Sequence, residues 1–324
     1  MTNVIGVPTI VRDLFLDIVI PPMTFPVHSL TLPYYLGCPV WACADWTGSV
    51  FHHGAKKHEF LHQYSMAFNT VEGNSTFYGL PSLDTVRRWC DEALPGFRFA
   101  LKFPRTISHD RQLVNATAET RAFLTVLEVL ASADRLGPSF LQLGPSFSAA
   151  QFPVLATYLR ELPEEFPFAV EVRHDDFYDN GIHEHELDDL LLRLQVDRAL
   201  FDSRALFSAP PLDDHEAEAQ RRKPNSPCRQ TVTGMRPMLR FVGRNDVPAA
   251  QPWIEEWAPV VAQWISEGLT PYLFTHTPHD RHAPELARAF HDELRKHLPG
   301  LSPLPPWPGA ASVTVPRQRQ RELF

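Results

Sequence analysis

Short β-rich segments alternate with helical segments along most of this chain, and this alternation constrains the fold more than any other feature. Eight candidate strands lie at residues 34–38, 69–74, 97–103, 139–143, 167–173, 198–202, 238–242 and 271–275. Apolar residues at helical spacing predict helices at 82–93, with Ser82 as the N-cap, and at 117–136, 251–267 and 283–298. The alternation therefore predicts an α/β protein with a single (β/α)8 barrel of the TIM type.

Three stretches of irregular composition flank or interrupt this pattern. The chain has 31 prolines against 15 glycines, and many of the prolines fall in residues 1–33, 208–236 and 303–324. We predict that residues 1–33 are an N-terminal extension and that residues 34–302 form the barrel. Residues 208–236 are polar, show no hydrophobic period and replace the expected sixth helix, so we predict a mobile insertion there. The proline-rich residues 303–324 are expected to be a disordered tail.

Charge and composition exclude several classes of protein. The net charge of −8 argues against non-specific binding of nucleic acid by the whole surface. No run of 18 apolar residues exists, and the first residues have no basic region, so neither a membrane span nor a signal peptide is predicted. Four cysteines without a CxxC pair are expected to be reduced thiols of a cytoplasmic protein.

Polar residues collect where the predicted strands end, which is where such barrels carry their active sites. They are Glu72, Asn74, Lys102, Gln142, Glu171, Arg173, His174, Asp202, Arg240 and His276, with Arg105, His109 and Arg111 in the loop after the third strand. A charge in a buried strand costs several kcal/mol unless it is paired. The set therefore favours a polar pocket, although a purely structural network of salt bridges filling the barrel is an alternative.

Four long segments give the chain a resemblance to a known family. Residues 68–89, 97–113, 136–147 and 168–178 resemble, in this order, the YecE-like family, or domain-of-unknown-function family 72. The resemblance implies a TIM-type barrel without an established activity. The polar positions that the family shares fall on Glu72, Asn74, Ser75, Tyr78, Lys102, His109, Gln142, Glu171, Arg173, His174, Asp202, Arg240 and Gly243.

The chain also departs from the family pattern. Its first motif keeps Trp41 and Trp46 but has Pro39 and Val40 in place of glycines. Val242 replaces a histidine of the seventh strand, and His276 stands near asparagines of the eighth. These departures put strict equivalence of the ligand at risk, whereas the core of the pocket is retained.

The mixture of acids and bases suggests an enzyme, or a binder, for a small anionic ligand, most simply a phosphorylated one. Glu72 or Glu171 would be the general base and His109 or His174 the acid, with Asp202 also in the catalytic set. Lys102 and Arg173 would hold the anion. The predicted substrate-binding residues are Trp41, Trp46, Asn74, Tyr78, Lys102, Arg105, Gln142, Arg173, Arg240 and His276.

Other functions stay open at this point. The family's barrels have been compared with divalent-metal isomerases and endonuclease IV-like repair enzymes, which suggests metal ligation by Glu72, Glu171, His174, Asp202 and His276. Because Lys102 and Arg173 would sit close to the cation, no metal or other cofactor is predicted. The pair Glu72 and Glu171 would also suit a glycosidase, but neighbouring cations would keep both ionised. A non-catalytic binding barrel is the third reading, since no nucleophile elbow, P-loop or dinucleotide fingerprint occurs.

The last five residues suggest a partner. Gln320-Arg321-Glu322-Leu323-Phe324 resembles the short peptide with which bacterial repair and replication proteins dock on the DNA-polymerase sliding clamp. Leu323 and Phe324 would enter an apolar groove while Gln320 makes polar contacts. A frayed tail is the alternative. Docking would favour a role in DNA metabolism, with the loop Arg105–Arg111 as a contact to the phosphate backbone.

Overall fold

A computed structural model of the protein describes residues 30–311, and all eight predicted strands are present in it. They are β1 Tyr35–Gly37, β2 Thr70–Gly73, β3 Arg98–Leu101, β4 Ser139–Gln142, β5 Phe168–Glu171, β6 Asp197–Asp202, β7 Met238–Val242 and β8 Tyr272–His276. Every pairing between these strands is parallel. The predicted extension and tail lie largely outside the described residues.

The strands form two sheets. One has six strands in the order β1-β8-β7-β6-β5-β4 and curls into a half-barrel, and the other pairs β2 with β3. The prediction of a parallel α/β fold is therefore confirmed. A single closed sheet of eight strands is not, because regular pairing stops between β1 and β2 and between β3 and β4.

Between β1 and β2, side-chain hydrogen bonds add to the backbone bond from the Glu72 N–H to the Cys38 carbonyl. The Asn69 side chain accepts a hydrogen bond from the Leu36 N–H and donates one to the Tyr34 carbonyl. The Tyr64 hydroxyl accepts from the Cys38 N–H and donates to the Thr70 carbonyl. These bonds satisfy buried polar groups that a regular ladder would otherwise pair.

The backbones of β1 and β2 also approach each other closely. A Cβ atom added at Gly37 would lie only 2.2 Å from the Thr70 carbonyl oxygen, so this position requires glycine. Between β3 and β4, isolated bridges join Phe99 to Leu136 and Lys102 to Phe140.

Helices follow most of the strands. They are α1 Phe60–Ala67, α2 Ser75–Tyr78, α3 Leu83–Glu92, α4 Thr117–Ser132, α5 Phe152–Arg160, α6 Ile182–Leu194, α7 Asp214–Arg222, α8 Gln251–Ser266, α9 Ala283–Leu294 and α10 Pro308–Ala311. The predicted N-cap of α3 is confirmed, since the Ser82 side chain accepts from the Thr85 N–H. No helix between residues 30 and 311 has the length and apolar character needed to cross a membrane.

The structure corrects the prediction for residues 208–236, because α7 lies inside this segment. The Asp213 side chain caps it by accepting from the Glu216 N–H. The face of α7 is fixed by an ion pair rather than by an apolar stripe: buried Glu216 accepts from Arg244 at 2.5 Å. The sequence of α7 therefore shows no amphipathic period from which the helix could be predicted.

The two faces of the strands carry different layers. Side chains at alternate positions form a concave inner layer of aromatic and small residues: Ala100, Phe140, Ala169, Ala199, Met238, Tyr272 and Phe274. The opposite positions, such as Val71, Leu141 and Leu239, join the large core between the strands and the helices. The next inward positions, at the carboxyl ends of the strands, are polar on β3, β4, β5, β7 and β8, whereas β6 has Phe201 there. The candidate site thus lies directly above an apolar floor.

Candidate functional site

Arg240 is the centre of the polar cluster at the carboxyl ends of the strands. Its Nε and Nη2 donate to the two carboxylate oxygens of Glu72, at 2.7 and 2.8 Å, and its Nη1 donates to Glu171. All three side chains are buried. The guanidinium also lies 5.0 Å above the ring of Phe140, on the apolar floor. Arg240 therefore offsets negative charge on both carboxylates. For these three residues the structure agrees with the alternative of a salt-bridge network that fills the barrel.

The two carboxylates also accept hydrogen bonds from residues just beyond the ends of their own strands. Asn74 Nδ2 donates to Glu72 at 2.7 Å, and Arg173 Nε donates to Glu171 at 2.7 Å. Both contacts join residues that are two apart in the sequence. His276 Nε2 lies 3.0 Å from Glu72.

These contacts set the protonation states of the acids and the histidine. Burial alone would raise the pKa of Glu72, but Arg240 and His276 outweigh it and hold that pKa well below its usual range. Burial would also raise the pKa of Glu171, but the charges of Arg240 and Arg173 outweigh this effect and lower it to about 2. Burial lowers the pKa of His276 to about 4, even though Glu72 acts against it. At neutral pH the cluster thus holds two carboxylates and a neutral imidazole.

Lys102 differs from the arginines because its contacts are uncharged. Its Nζ donates to Gln142 Oε1 at 2.9 Å and lies 4.0 Å from the centre of the Phe77 ring. No carboxylate lies within ion-pair distance of it among the described residues. Burial, followed by the charge of Arg240, lowers the pKa of Lys102 to about 7.

A second lysine reaches the same space from the segment that was predicted to be a mobile insertion. Lys223 is the C-cap of α7 and is half-buried, 6.0 Å from the Phe201 ring. Burial lowers the pKa of Lys223 to about 8. The charges of Arg240 and Arg173 add to this effect, and those of Glu72 and Asp280 oppose it. Its ammonium has neither a hydrogen bond nor an ion pair within residues 30–311. Sequence reasoning missed Lys223, and no local motif signals it.

A cleft of about 250 Å³ opens beside Glu72. Its lining combines apolar residues of the loop after β1 with polar residues: Pro39, Val40, Trp41, Ala42, Cys43, Glu72, Asn74, Ser75 and Asp280. Trp41, one of the predicted substrate-binding residues, is half-buried and packs edge-on against Trp89. A larger groove, of about 630 Å³, lies between α4 and α5 and contains none of the cluster residues.

Asp202 was predicted in the catalytic set, and the structure places it elsewhere. Phe201 occupies the inner face of β6, beneath Arg173 and Arg240, so its neighbour points towards the helices. There the Asp202 carboxylate accepts from Trp257 Nε1 of α8 at 2.7 Å and pairs with Arg204. Asp202 therefore ties β6 to the helix layer.

Several other predicted residues also lie outside the cluster. Trp46 is fully buried and donates from Nε1 to the Asp280 carbonyl, which is a structural role. Tyr78 is 81% exposed. The His174 ring caps the following turn by accepting from the Asp176 N–H. Arg105 is exposed and pairs with Asp110.

The loop after β3 contributes less positive charge than its sequence suggests. Arg105 is neutralised by Asp110, and Arg111 by Glu119, which weakens the case for a contact with a nucleic-acid backbone. His109 in this loop is half-buried and packs edge-on against Phe77, with 5.0 Å between the ring centres. Burial, followed by the charge of Lys102, lowers the pKa of His109, which favours its neutral ring. His109 is thus connected to the cluster by Phe77, whose ring contacts both His109 and Lys102.

The residues considered as ligands in the metal-dependent alternative do not form one group, although Glu72 and His276 are in contact. No group of three or more histidine, cysteine, aspartate or glutamate side chains suited to a metal ion occurs in residues 30–311. Glu72 and Glu171 face the guanidinium of Arg240, while His174 and Asp202 point elsewhere. The predicted clamp-binding residues Gln320, Leu323 and Phe324 lie outside the described residues.

Comparison with known proteins identifies relatives along most of the chain. Residues 35–310 match the model of the family described as protein of unknown function DUF72. The UPF0759 protein YecE of Escherichia coli K12 is 37% identical over 279 residues, which cover 86% of this chain and 99% of that protein. The protein of the same name from E. coli O157:H7 is equally similar.

Solved structures of the same family share the fold. The DUF72 protein EF0366 of Enterococcus faecalis V583 is 18% identical, with a TM-score of 0.61 over 83% of this chain and 98% of that chain. The DUF72 protein TM1631 of Thermotoga maritima MSB8 is 20% identical, with a TM-score of 0.59 over 81% of this chain and 98% of that chain. The resemblance inferred from the four sequence segments is confirmed, and the chain belongs to the DUF72 family.

Proposed function

We propose that the carboxyl ends of the strands bind a small anionic ligand, such as a phosphorylated metabolite, and that the protein is an enzyme acting on it. One observation carries this proposal: the charges of the cluster do not balance. Arg240 and Arg173 already match Glu72 and Glu171. Asp280 is near Lys223 without forming an ion pair with it, so the four cations Arg173, Lys102, Lys223 and Arg240 face the three carboxylates of Glu72, Glu171 and Asp280. Keeping unpaired ammonium groups in a desolvated pocket costs stability, and a bound anion would remove that cost.

Arg173 has an N–H donor that could also bind the anion. Its Nε is used by Glu171 and its Nη2 by Gln142, whereas Nη1 has no hydrogen-bond partner in the described part of the chain. A guanidinium that is fixed by two bonds and offers a third N–H suits an oxygen of phosphate or carboxylate. We assign Arg173 and Lys223 to the anion, with Lys102 facing the same ligand.

The cleft next to Glu72 would hold the remainder of the ligand. Trp41 offers an aromatic wall, while Asn74 and Asp280 offer polar groups suited to hydroxyls. Among the titratable groups, neutral His109 is better suited to accept a proton than either glutamate, because the low pKa of Glu72 and Glu171 makes them weak bases. The same low pKa makes them poor general acids, which disfavours a glycosidase.

We further propose that the contacts between β1 and β2, and between β3 and β4, close the two sheets into a (β/α)8 barrel around this site. The support is the backbone bond from the Glu72 N–H to the Cys38 carbonyl and that from the Phe103 N–H to the Phe140 carbonyl. A non-catalytic binding barrel would have the same anion site, so only turnover of a ligand distinguishes it from an enzyme.

The proposal is tested by calorimetric titration of the full-length protein with inorganic phosphate and with sulfate. Lys223→Met and Arg173→Met should each weaken binding by about tenfold or more, because a hydrogen bond to a charged group contributes roughly 1.5–3 kcal/mol. Lys296→Met removes an exposed lysine paired with Glu293 and should leave binding unchanged. Absence of binding to the unmodified protein, or equal binding by all four proteins, would refute the anion site.

A further inference from the structure

The lysines of this chain are few and unevenly placed. The sequence contains five, beside 25 arginines, and Lys56, Lys57 and Lys296 are exposed on the surface. Lys102 and Lys223 are the two at the candidate site, where the other cations are arginines. An arginine binds an anion more rigidly than a lysine, but only a lysine has a nitrogen that can become an uncharged nucleophile near neutral pH. The presence of a lysine at position 102 therefore suggests that its amine reacts with the ligand and does not only bind it through charge.

The surroundings of Lys102 favour the uncharged amine. Its Nζ touches an amide oxygen of Gln142 and an aromatic face of Phe77, neither of which is a counter-ion. The side chain is 9% exposed, and the guanidinium groups of Arg173 and Arg240 lie across the cluster. Desolvation together with neighbouring cations is the arrangement that activates lysines for attack on carbonyl groups. With a pKa of about 7, roughly half of the Lys102 side chains would be free amine at neutral pH.

We propose that Lys102 is a nucleophile that forms an imine with the carbonyl carbon of a small anionic aldehyde or ketone. This inference rests on the proposed function, because an anion held by Arg173 and Lys223 places the rest of the ligand against Lys102. Gln142 contributes to the positioning: its Oε1 accepts both from Lys102 and from Arg173 Nη2, at 2.9 Å in each case. The Lys102 amine and the Arg173 guanidinium are thereby held close together, because both donate to Gln142 Oε1.

The reaction balances without a co-reactant. The Lys102 nitrogen attacks the carbonyl carbon, the carbonyl π electrons move to oxygen, and the proton released by nitrogen is taken up there to give a carbinolamine. The carbon–oxygen bond then breaks with loss of water, and the nitrogen lone pair forms the carbon–nitrogen double bond. One amine and one carbonyl compound give one imine and one water. Nothing is oxidised or reduced.

Reductive trapping on the full-length protein tests this inference. The probes are glycolaldehyde phosphate and glycolaldehyde, each with sodium cyanoborohydride, which transfers hydride to the imine carbon and fixes the adduct as a secondary amine. Peptide mass mapping reports all five lysines at once, so Lys56, Lys57 and Lys296 are internal controls. At pH 7 we expect Lys102 to be modified at least about tenfold faster than these three, because its amine is buried beside two guanidinium groups whereas theirs are exposed to water.

Controls separate the amine from the anion site. Sulfate should protect Lys102 from glycolaldehyde phosphate, and Lys102→Met should remove the preferred adduct while Lys57→Met does not. If Lys102 reacts no faster than Lys57 although sulfate binds, the imine inference is overturned and the anion site stands. If Lys102 reacts preferentially with both probes and sulfate gives no protection, the nucleophile is supported and the anionic requirement is overturned.

Discussion

Replacing Arg240 tests how the cluster is held together, because this side chain is the shared partner of two buried carboxylates. Arg240→Met keeps much of the side-chain volume over Phe140 and removes every hydrogen bond that Arg240 donates to Glu72 and Glu171. Removing one partner of a buried ion pair costs about 3–5 kcal/mol, since it leaves an uncompensated charge. The shift in Glu171 gives a similar size: a pKa near 2 instead of 4.5 corresponds to about 3 kcal/mol.

The expected loss depends on pH, with a sign that follows from the lowered pKa values. In the unmodified protein, the stabilisation from Glu171 is present above pH 4.5 and is lost as the pH falls towards 2. In Arg240→Met, burial is opposed by fewer cations, so the pKa of Glu72 and Glu171 rises and protonation relieves the unpaired charge. The difference in stability between the two proteins should therefore be largest at pH 7 and shrink below about pH 4.

Urea unfolding followed by tryptophan fluorescence measures this difference. The matched control is Arg221→Met, which removes an exposed arginine paired with Glu218 three residues away and should cost less than about 1 kcal/mol. A loss below about 1 kcal/mol for Arg240→Met at pH 7, or a loss independent of pH, would refute the account of the cluster as a buried, charge-balanced network.

Further predictions concern the two lysines and the C-terminal peptide. Lys102→Met should raise the free energy of unfolding at pH 7 by about 1–3 kcal/mol, because a lysine whose pKa falls to about 7 on folding destabilises the fold fully below pH 7 and loses this effect only as the pH rises towards 10.5; unchanged or lower stability in urea would contradict this. Sulfate, whose own charge is constant, should bind more weakly as the pH rises from 6 to 9 and Lys102 and Lys223 lose their protons; calorimetry showing a flat profile would count against both lysines. Deleting residues 320–324 should abolish capture by an immobilised sliding clamp, and equal capture would end that hypothesis.

The rule that polar residues at the ends of parallel strands face one pocket selected Glu72, Asn74, Glu171 and Arg173 from the sequence. In the structure Asn74 donates to Glu72 and Arg173 donates to Glu171. The same rule fails for Asp202, since it does not say which of two adjacent residues faces inwards. Phe201 takes the inner position on β6, and Asp202 bonds to Trp257 instead.

The contribution of residues 208–236 could not be predicted from local pattern. Helix α7 is held by the buried pair Glu216 and Arg244, whose residues are 28 apart in the chain and form no motif. Lys223 reaches the cluster because this helix ends beside it, which is a consequence of tertiary packing. The contact between β1 and β2 is similar: it depends on hydrogen bonds of the Asn69 and Tyr64 side chains, which the hydropathy pattern of the sequence does not reveal.

A crystal structure of the protein soaked in sulfate is the most direct measurement of the central claim, that this cluster is built to receive an anion. The account predicts a sulfate ion within hydrogen-bond distance of Arg173 Nη1 and the Lys223 ammonium, near Lys102, and its loss in a Lys223→Met crystal under the same conditions. Sulfate bound only elsewhere on the surface, or a cluster left empty at saturating sulfate, would contradict it.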